Sequence, residues 1–154
     1  MRLALFEPDI AQNVGAAIRA AACFGAGIDV IGPCGFPVDS KELRRVAMDY
    51  AALAQPTVHD SWEGFIESPS RGAARLVLLT TGAKTSLWDF QFAPDDLLVL
   101  GRESAGVPQN VHDGADARLM IPMAPGARSL NVAVAGAVAL AEARRQLGRI
   151  IEAP

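Results

Sequence analysis

The sequence is short of most groups that metal, redox or nucleophilic chemistry would draw on. Its 154 residues include two cysteines and two histidines. Cys23 and Cys34 lie in unlike contexts with no CxxC or Cys/His spacing, which supports neither a disulfide framework nor a metal site. Both are expected as buried small apolar residues. No run approaches the roughly 18 apolar residues needed to cross a bilayer, and the chain opens on Arg2-Leu3-Ala4-Leu5-Phe6 without a charged, then apolar, leader. The expectation is a soluble cytoplasmic protein with no membrane partner. Positive charge is also scarce: 14 Lys+Arg against 17 Asp+Glu give a net charge of −3. That excludes coating of nucleic acid by bulk charge, but not a local basic patch. Lysine is nearly absent, with only Lys41 and Lys84, and arginine's planar fork suits phosphate and carboxylate recognition. A GxxxxGK[ST] loop is missing, and Gly25-Ala-Gly27 lacks a third glycine and precedes a strand, so no nucleotide fingerprint is present. Gly101-Arg-Glu-Ser104-Ala-Gly106 is one residue too long for a nucleophile elbow. Neither His59 nor His112 is placed for a triad. Hydrolysis is therefore set aside, and both histidines read as loop or surface residues.

What is present is ordinary for one packed domain spanning 1–154: 51% hydrophobic and 20% charged residues. Strand-like Leu3 to Phe6, helix-like Val14 to Gly25, strand-like Ile28 to Ile31 and helix-like Ser40 to Met48 follow one another. The alternation resumes through Trp62 to Ile66, Leu76 to Thr81, Leu97 to Leu100 and Leu119 to Ile121, and ends in a long helix from about Leu130 to Gly148. Such switching of period predicts an α/β fold, a parallel sheet with helices on both faces. The upper half of the last helix is apolar nearly all round, which predicts burial by its own domain or by a partner subunit. Arg144, Arg145 and Arg149 near its end complement its dipole.

Ligands of open α/β sheets bind beyond the carboxyl ends of the strands. Three such loops stand out: Gly82 to Lys84, Gly101 to Gly106, and Pro122 to Asn131. Earlier, Asn13-Val-Gly15-Ala-Ala-Ile-Arg19 sets Gly15 and Arg19 on one helix face. Asn13 is either a helix N-cap or a functional group. Arg19, among apolar neighbours, calls either for a structural salt bridge or for an anionic ligand.

With Asn13-x-Gly15-x-x-x-Arg19, Leu100-Gly101-x-Glu103-x-x-Gly106-Val-Pro108, and Ile121-Pro122-Met123 with Ser129-Leu-Asn131 in this order, the chain resembles the SPOUT superfamily of RNA methyltransferases. It is most similar to the small members that 2′-O-methylate the wobble nucleotide of tRNA. Lys41 to Tyr50 also looks like a stretch that these small enzymes carry. The resemblance implies a C-terminal deep trefoil knot, S-adenosylmethionine as cofactor with S-adenosylhomocysteine as product, a tRNA anticodon stem-loop as substrate, and a homodimer formed through the first and last helices. It assigns cofactor contacts to Leu79, Gly101, Glu103, Gly106, Ile121, Met123, Ser129, Leu130 and Asn131. Ser129 also reads as the N-cap of the last helix, and Glu103 as loop architecture or an arginine's partner. Arg19 and Asn13 become the catalytic pair, with Arg19 reaching the partner subunit's cofactor. Because a guanidinium is a poor base at neutral pH, Arg19 is read as binding phosphate and stabilising alkoxide charge. Arg44, Arg45, Arg102 and Arg128, with Arg144 or Arg145, are the candidate RNA contacts, and Trp88 the candidate stacking residue. The pattern departs from the family at Arg102 and Gln12, where proline is common. Competing readings are a methyltransferase for another tRNA or rRNA position and a non-catalytic cofactor- or RNA-binding module.

Overall fold

The computed structural model describes residues 1–37 and 50–148. The predicted helix from Ser40 to Met48, with Lys41, Arg44 and Arg45, lies outside them. The described chain runs β1 (Arg2–Phe6), α1 (Ala11–Cys23), β2 (Gly27–Ile31), α2 (Ala51–Ala54), β3 (Thr57–His59), α3 (Trp62–Ile66), β4 (Leu76–Leu79), β5 (Thr85–Ser86), a 3-10 turn (Leu87–Asp89), β6 (Leu97–Leu100), α4 (Gln109–Asp113), β7 (Ala117–Met120) and α5 (Val132–Leu147). The seven strands form one sheet in the order β3-β2-β1-β6-β4-β7-β5. Every pairing is parallel.

Because side chains alternate across a strand, each strand feeds two cores. Leu3, Leu5, Ile28, Val30, Val77, Leu98 and Leu100 pack under α1 and α5 against Val14, Ile18, Ala139 and Leu140. Ala4, Phe6, Ile31, Leu76, Leu78 and Val99 pack on the opposite face against Phe65 of α3 and Val111 of α4. Helices thus cover both faces, as the sequence predicts. The two main helices lie close because their contact is built from small residues such as Ala17, Ala21 and Ala143. A Cβ on Gly136 would come within 3.2 Å of Leu3.

Polar anchoring is local and specific. Asp29, fully buried, accepts from Arg2 Nε at 2.7 Å, His59 Nε2 at 2.8 Å and Ser70 Oγ at 2.9 Å. His59 is therefore a buried structural residue that ties β3 to β2, contrary to its reading as a surface or loop histidine. Arg144 hydrogen-bonds the carbonyls of Phe24 and Gly25. It serves the C-terminus of α1 instead of its own helix or RNA. Arg145 pairs with Glu142 through two 2.8 Å bonds. Cys23 is exposed and Cys34 partly so, which corrects the expectation of two buried cysteines; burial and the nearby Glu7 carboxylate push the Cys34 thiol up.

Helix ends shift from the sequence reading for capping reasons. Helix α1 starts at Ala11 with Ile10 at the N-cap and no side-chain cap, so Asn13 sits inside the first turn and is not the cap. Asn131, not Ser129, caps α5, accepting from the backbone of Ala133 and Val134. The helix closes at Gly148 with φ +62°, a conformation glycine adopts without a Cβ penalty.

Hydrogen bonds from Arg145 and Gln146 pull the Glu142 carboxyl from 4.5 to about 2. A lowered acid pKa contributes stability that is complete above the ordinary value and lost as pH falls through the folded one. The stability gap between the wild type and Glu142→Gln is expected to be constant from pH 7 to 5 and to close between about 4.5 and 2, as read from urea midpoints at each pH.

Candidate cofactor and RNA site

A cavity of about 710 Å³ opens at the carboxyl end of the central strands. That size suits a nucleoside-sized ligand. Its walls come from five segments: the start of α1, the end of β4, the loop after β6, His112 of α4, and the stretch from β7 into α5. Strand β6 makes this possible by pairing with β1 on one side and β4 on the other, which brings the carboxyl ends of all three together.

The loop after β6 is folded tightly on itself. Arg102 and Gly106 exchange backbone hydrogen bonds at 3.0 and 2.9 Å. A Cβ on Gly101 would lie 2.5 Å from the Gly106 backbone, so only glycine permits this closure. The loop is fastened to the one after β1. Asp9 accepts from Arg102 Nη2 at 2.7 Å, Ser104 Oγ at 2.6 Å and the Ser104 N–H at 3.0 Å. These bonds, above all that from Arg102, hold the Asp9 carboxyl well below the usual carboxylate range and raise the Arg102 guanidinium. Arg102 also reaches Glu7 at 3.2 Å, where the backbone turns through φ +42°.

Glu103 continues the chain of contacts. It accepts from the Asp9 N–H at 2.8 Å and from Asn13 Nδ2 at 2.7 Å, and Asn13 Oδ1 in turn accepts from Asn131 Nδ2 at 2.9 Å. Residues from all three sequence motifs thus form one hydrogen-bonded wall.

Of the residues singled out from sequence, Asn13, Leu79, Gly101, Arg102, Glu103, Gly106, Ile121, Met123, Ser129, Leu130 and Asn131 all line the cavity. Arg102 lies on the wall, but its charge is engaged by Asp9 and Glu7, not offered at the rim to RNA. Arg128 is exposed in the loop before α5 and is not part of the lining. Arg19 is also exposed and outside the cavity. It stands six residues, or about 9 Å, along α1 from Asn13, with its guanidinium 4.9 Å above the Tyr50 ring. Among the described residues it has no carboxylate partner. Sequence reasoning missed Thr80, Thr81 and His112 on the wall. The threonines end the apolar run of β4, a readable signal; His112 carried none beyond being a histidine.

The chain matches known proteins in sequence and in fold. The SpoU rRNA Methylase family matches residues 1–141. The chain belongs to the SpoU methylase family. A SpoU relative from Ancylobacter novellus, named tRNA (cytidine(34)-2'-O)-methyltransferase, is 51% identical over 148 residues, covering 96% of this chain and 94% of its own. Another of the same name, from Beijerinckia indica, is 48% identical over 155 residues, covering 99% and 97%. A solved structure described as giving insights into the 2-OH methylation of C/U34 on tRNA superposes with TM-score 0.88 at 39% identity, covering 96% of this chain and 95% of that one. The SpoU methyltransferase AviRb from Streptomyces viridochromogenes, solved with AdoMet, gives 0.87 at 28% identity, covering 96% of this chain and 60% of that one.

Gly101→Ala forces the loop after β6 away from Gly106. Calorimetry with S-adenosylhomocysteine is expected to show affinity reduced about tenfold or more, the equivalent of roughly 1.4 kcal/mol. Far-UV circular dichroism should remain that of the wild type.

Proposed function

We propose that the protein is an S-adenosylmethionine-dependent tRNA 2′-O-methyltransferase acting on the wobble nucleotide, cytidine 34 or modified uridine 34, of the anticodon stem-loop. The observation that carries this reading is the meeting of all three motifs on one cavity wall, in a chain whose full-length relatives bear that activity in their names. The cavity fits the cofactor on its own evidence, since it has the volume for an adenosine-containing ligand and a Gly101 approach that a Cβ would block. When bound, S-adenosylmethionine supplies an electrophilic methyl group on its sulfonium.

The chain supplies the rest. The closely approaching backbones of Leu79, Gly101, Ile121, Ser129 and Leu130 hold the cofactor, with Gly106 and Met123 completing the enclosure. Glu103, Asn13 and Asn131 keep the loops in one arrangement, which lowers the entropy cost of aligning the reactants. Arg19 binds the phosphate beside the target ribose and stabilises charge developing on its 2′-oxygen. Its position outside its own cavity supports the assignment across a C2 homodimer, in which α1 and α5 meet their copies and each Arg19 faces the partner's cofactor. The exposed faces of these helices carry small or apolar residues, among them Ala16, Cys23, Val134 and Ala141, and Val134 is 48% exposed.

The C-terminal third is proposed to thread as a trefoil knot, a reading supported by the insertion of β6 between β1 and β4 and by the SpoU neighbours. Arg128 is the described arginine best placed for phosphate contact, and Trp88, 50% exposed beyond β5, for stacking on a base. The whole chain serves as one cytoplasmic methyltransferase domain.

Methyl transfer from radiolabelled S-adenosylmethionine into total tRNA from a strain lacking the gene, followed by digestion and mapping, is expected to place label on the 2′-oxygen of nucleotide 34. Arg19→Ala should lower kcat by about a hundredfold or more while leaving S-adenosylhomocysteine affinity intact. Label at another position would keep the chemistry and overturn the target.

A further inference from the structure

Several polar side chains on the cavity wall are held by hydrogen bonds within the protein. Asn13, Glu103 and Asn131 form one chain of hydrogen bonds, and Arg102 and Ser104 are both held by Asp9. His112 differs. Its half-buried ring lines the cavity, and among the described residues neither ring nitrogen has a hydrogen-bond partner. The other histidine, His59, spends its ring on Asp29. Neither ring nitrogen is among the fully shielded polar atoms of the described residues, so the imidazole is open to a ligand that enters the cavity and can donate or accept there.

The backbone around His112 is fixed. Its N–H donates to the Pro108 carbonyl at 3.1 Å, and its carbonyl accepts from the Arg118 guanidinium. The neighbouring Val111 is anchored in the core beneath α4. The backbone that carries the ring is thus held at the cavity by the packing of the helix.

The cavity lining combines polar residues, Asn13, Arg102 and Glu103 among them, with apolar ones such as Val107, Leu119, Leu79 and Ile121. Such a mixed lining suits a ligand that joins an uncharged heteroaromatic group, with ring acceptors, an exocyclic amine and ribose hydroxyls, to a charged amino-acid end.

We propose that His112 is a cofactor-contacting residue whose imidazole hydrogen-bonds the adenosine portion of S-adenosylmethionine and S-adenosylhomocysteine. This rests on the cofactor reading given under the proposed function. A neutral imidazole carries one donor and one acceptor, so it can meet an adenosine acceptor, donor or hydroxyl without a change in net charge.

With only two histidines in the chain, the imidazole ¹⁵N–¹H spectrum contains just two ring systems. Titration of the full-length protein with S-adenosylhomocysteine is expected to move the ring signals of His112 along a curve matching the calorimetric Kd, with those of His59 unchanged. His112→Leu fills the space without hydrogen bonding and should weaken S-adenosylhomocysteine binding about three- to tenfold. His112→Gln should recover part of that loss, and affinity for cofactor-free tRNA should not change in either variant. A His112 ring that stays still at saturation, or a leucine variant binding as tightly as the wild type, overturns the inference and leaves the cofactor site standing. A wild-type protein that binds no S-adenosylhomocysteine overturns the cofactor reading and this inference together.

Discussion

The site hangs on one carboxylate. Asp9 receives three hydrogen bonds from Arg102 and Ser104, residues 93 and 95 positions away in sequence, while its own N–H donates to Glu103. These bonds join the loop after β1 to the loop after β6. Charge-assisted bonds of this kind are stronger than neutral ones, and each closes a long stretch of chain whose ordering entropy has already been met by the pairing of β1 with β6. Once Asp9 fixes Glu103, Glu103 fixes Asn13, and Asn13 meets Asn131 at the head of α5. Three distant segments acquire a common geometry through groups that never touch the bulk core.

That constraint also explains how the chain uses its arginines. Arg2 is spent on Asp29, Arg75 on Asp96, Arg102 on Asp9 and Glu7, Arg144 on the end of α1, and Arg145 on Glu142. A planar fork holding two acceptors at once suits these joints, where a lysine would offer a point charge. The arginine bias visible in composition is therefore largely structural. The groups left for RNA among the described residues are few, Arg19 and Arg128 foremost, which agrees with a net-acidic protein that recognises a folded RNA by shape and local contacts.

The sheet was legible because parallel strands buried on both faces read as continuous apolar runs; Leu97–Leu100 is read without error, and Leu76–Leu79 and Ala117–Met120 within two residues at each end. Strand β3, three residues with two exposed, and β5, only two residues long, carry no such run and exist through pairing with β2 and β7. The motif residues were legible as a set, yet their roles were not. Asn13 looked like a cap and proved to be a link, Ser129 looked like a cap where Asn131 is one, and Arg102 looked like a rim cation although two carboxylates hold it. The errors at Asn13 and Arg102 share one origin: a polar residue's partner across 90 or more positions leaves no trace in local spacing. The two histidines also carry no local signal of their fate, since His59 is buried on Asp29, 30 positions away, and His112 faces the cavity.

With the roles proposed for Asn13 and Arg19, helix α1 ties cofactor binding to substrate chemistry. Its first turn contributes Asn13 to the cavity wall, and about 9 Å further along the same rigid rod Arg19 projects from the exposed face. A side chain cannot reach back over that distance and around the helix to its own cavity, so within a single chain the cation proposed to meet the substrate phosphate is separated from the loops that hold the methyl donor. On the proposed dimer this separation becomes an asset. The helix that packs against its copy carries Arg19 toward the partner while the Asn13–Glu103 bond fixes that helix to its own cofactor loop. A loop disturbed in one subunit would then misplace the arginine serving the other, and assembly becomes a condition of catalysis more than of folding, because the two cores on either face of the sheet are complete within one chain.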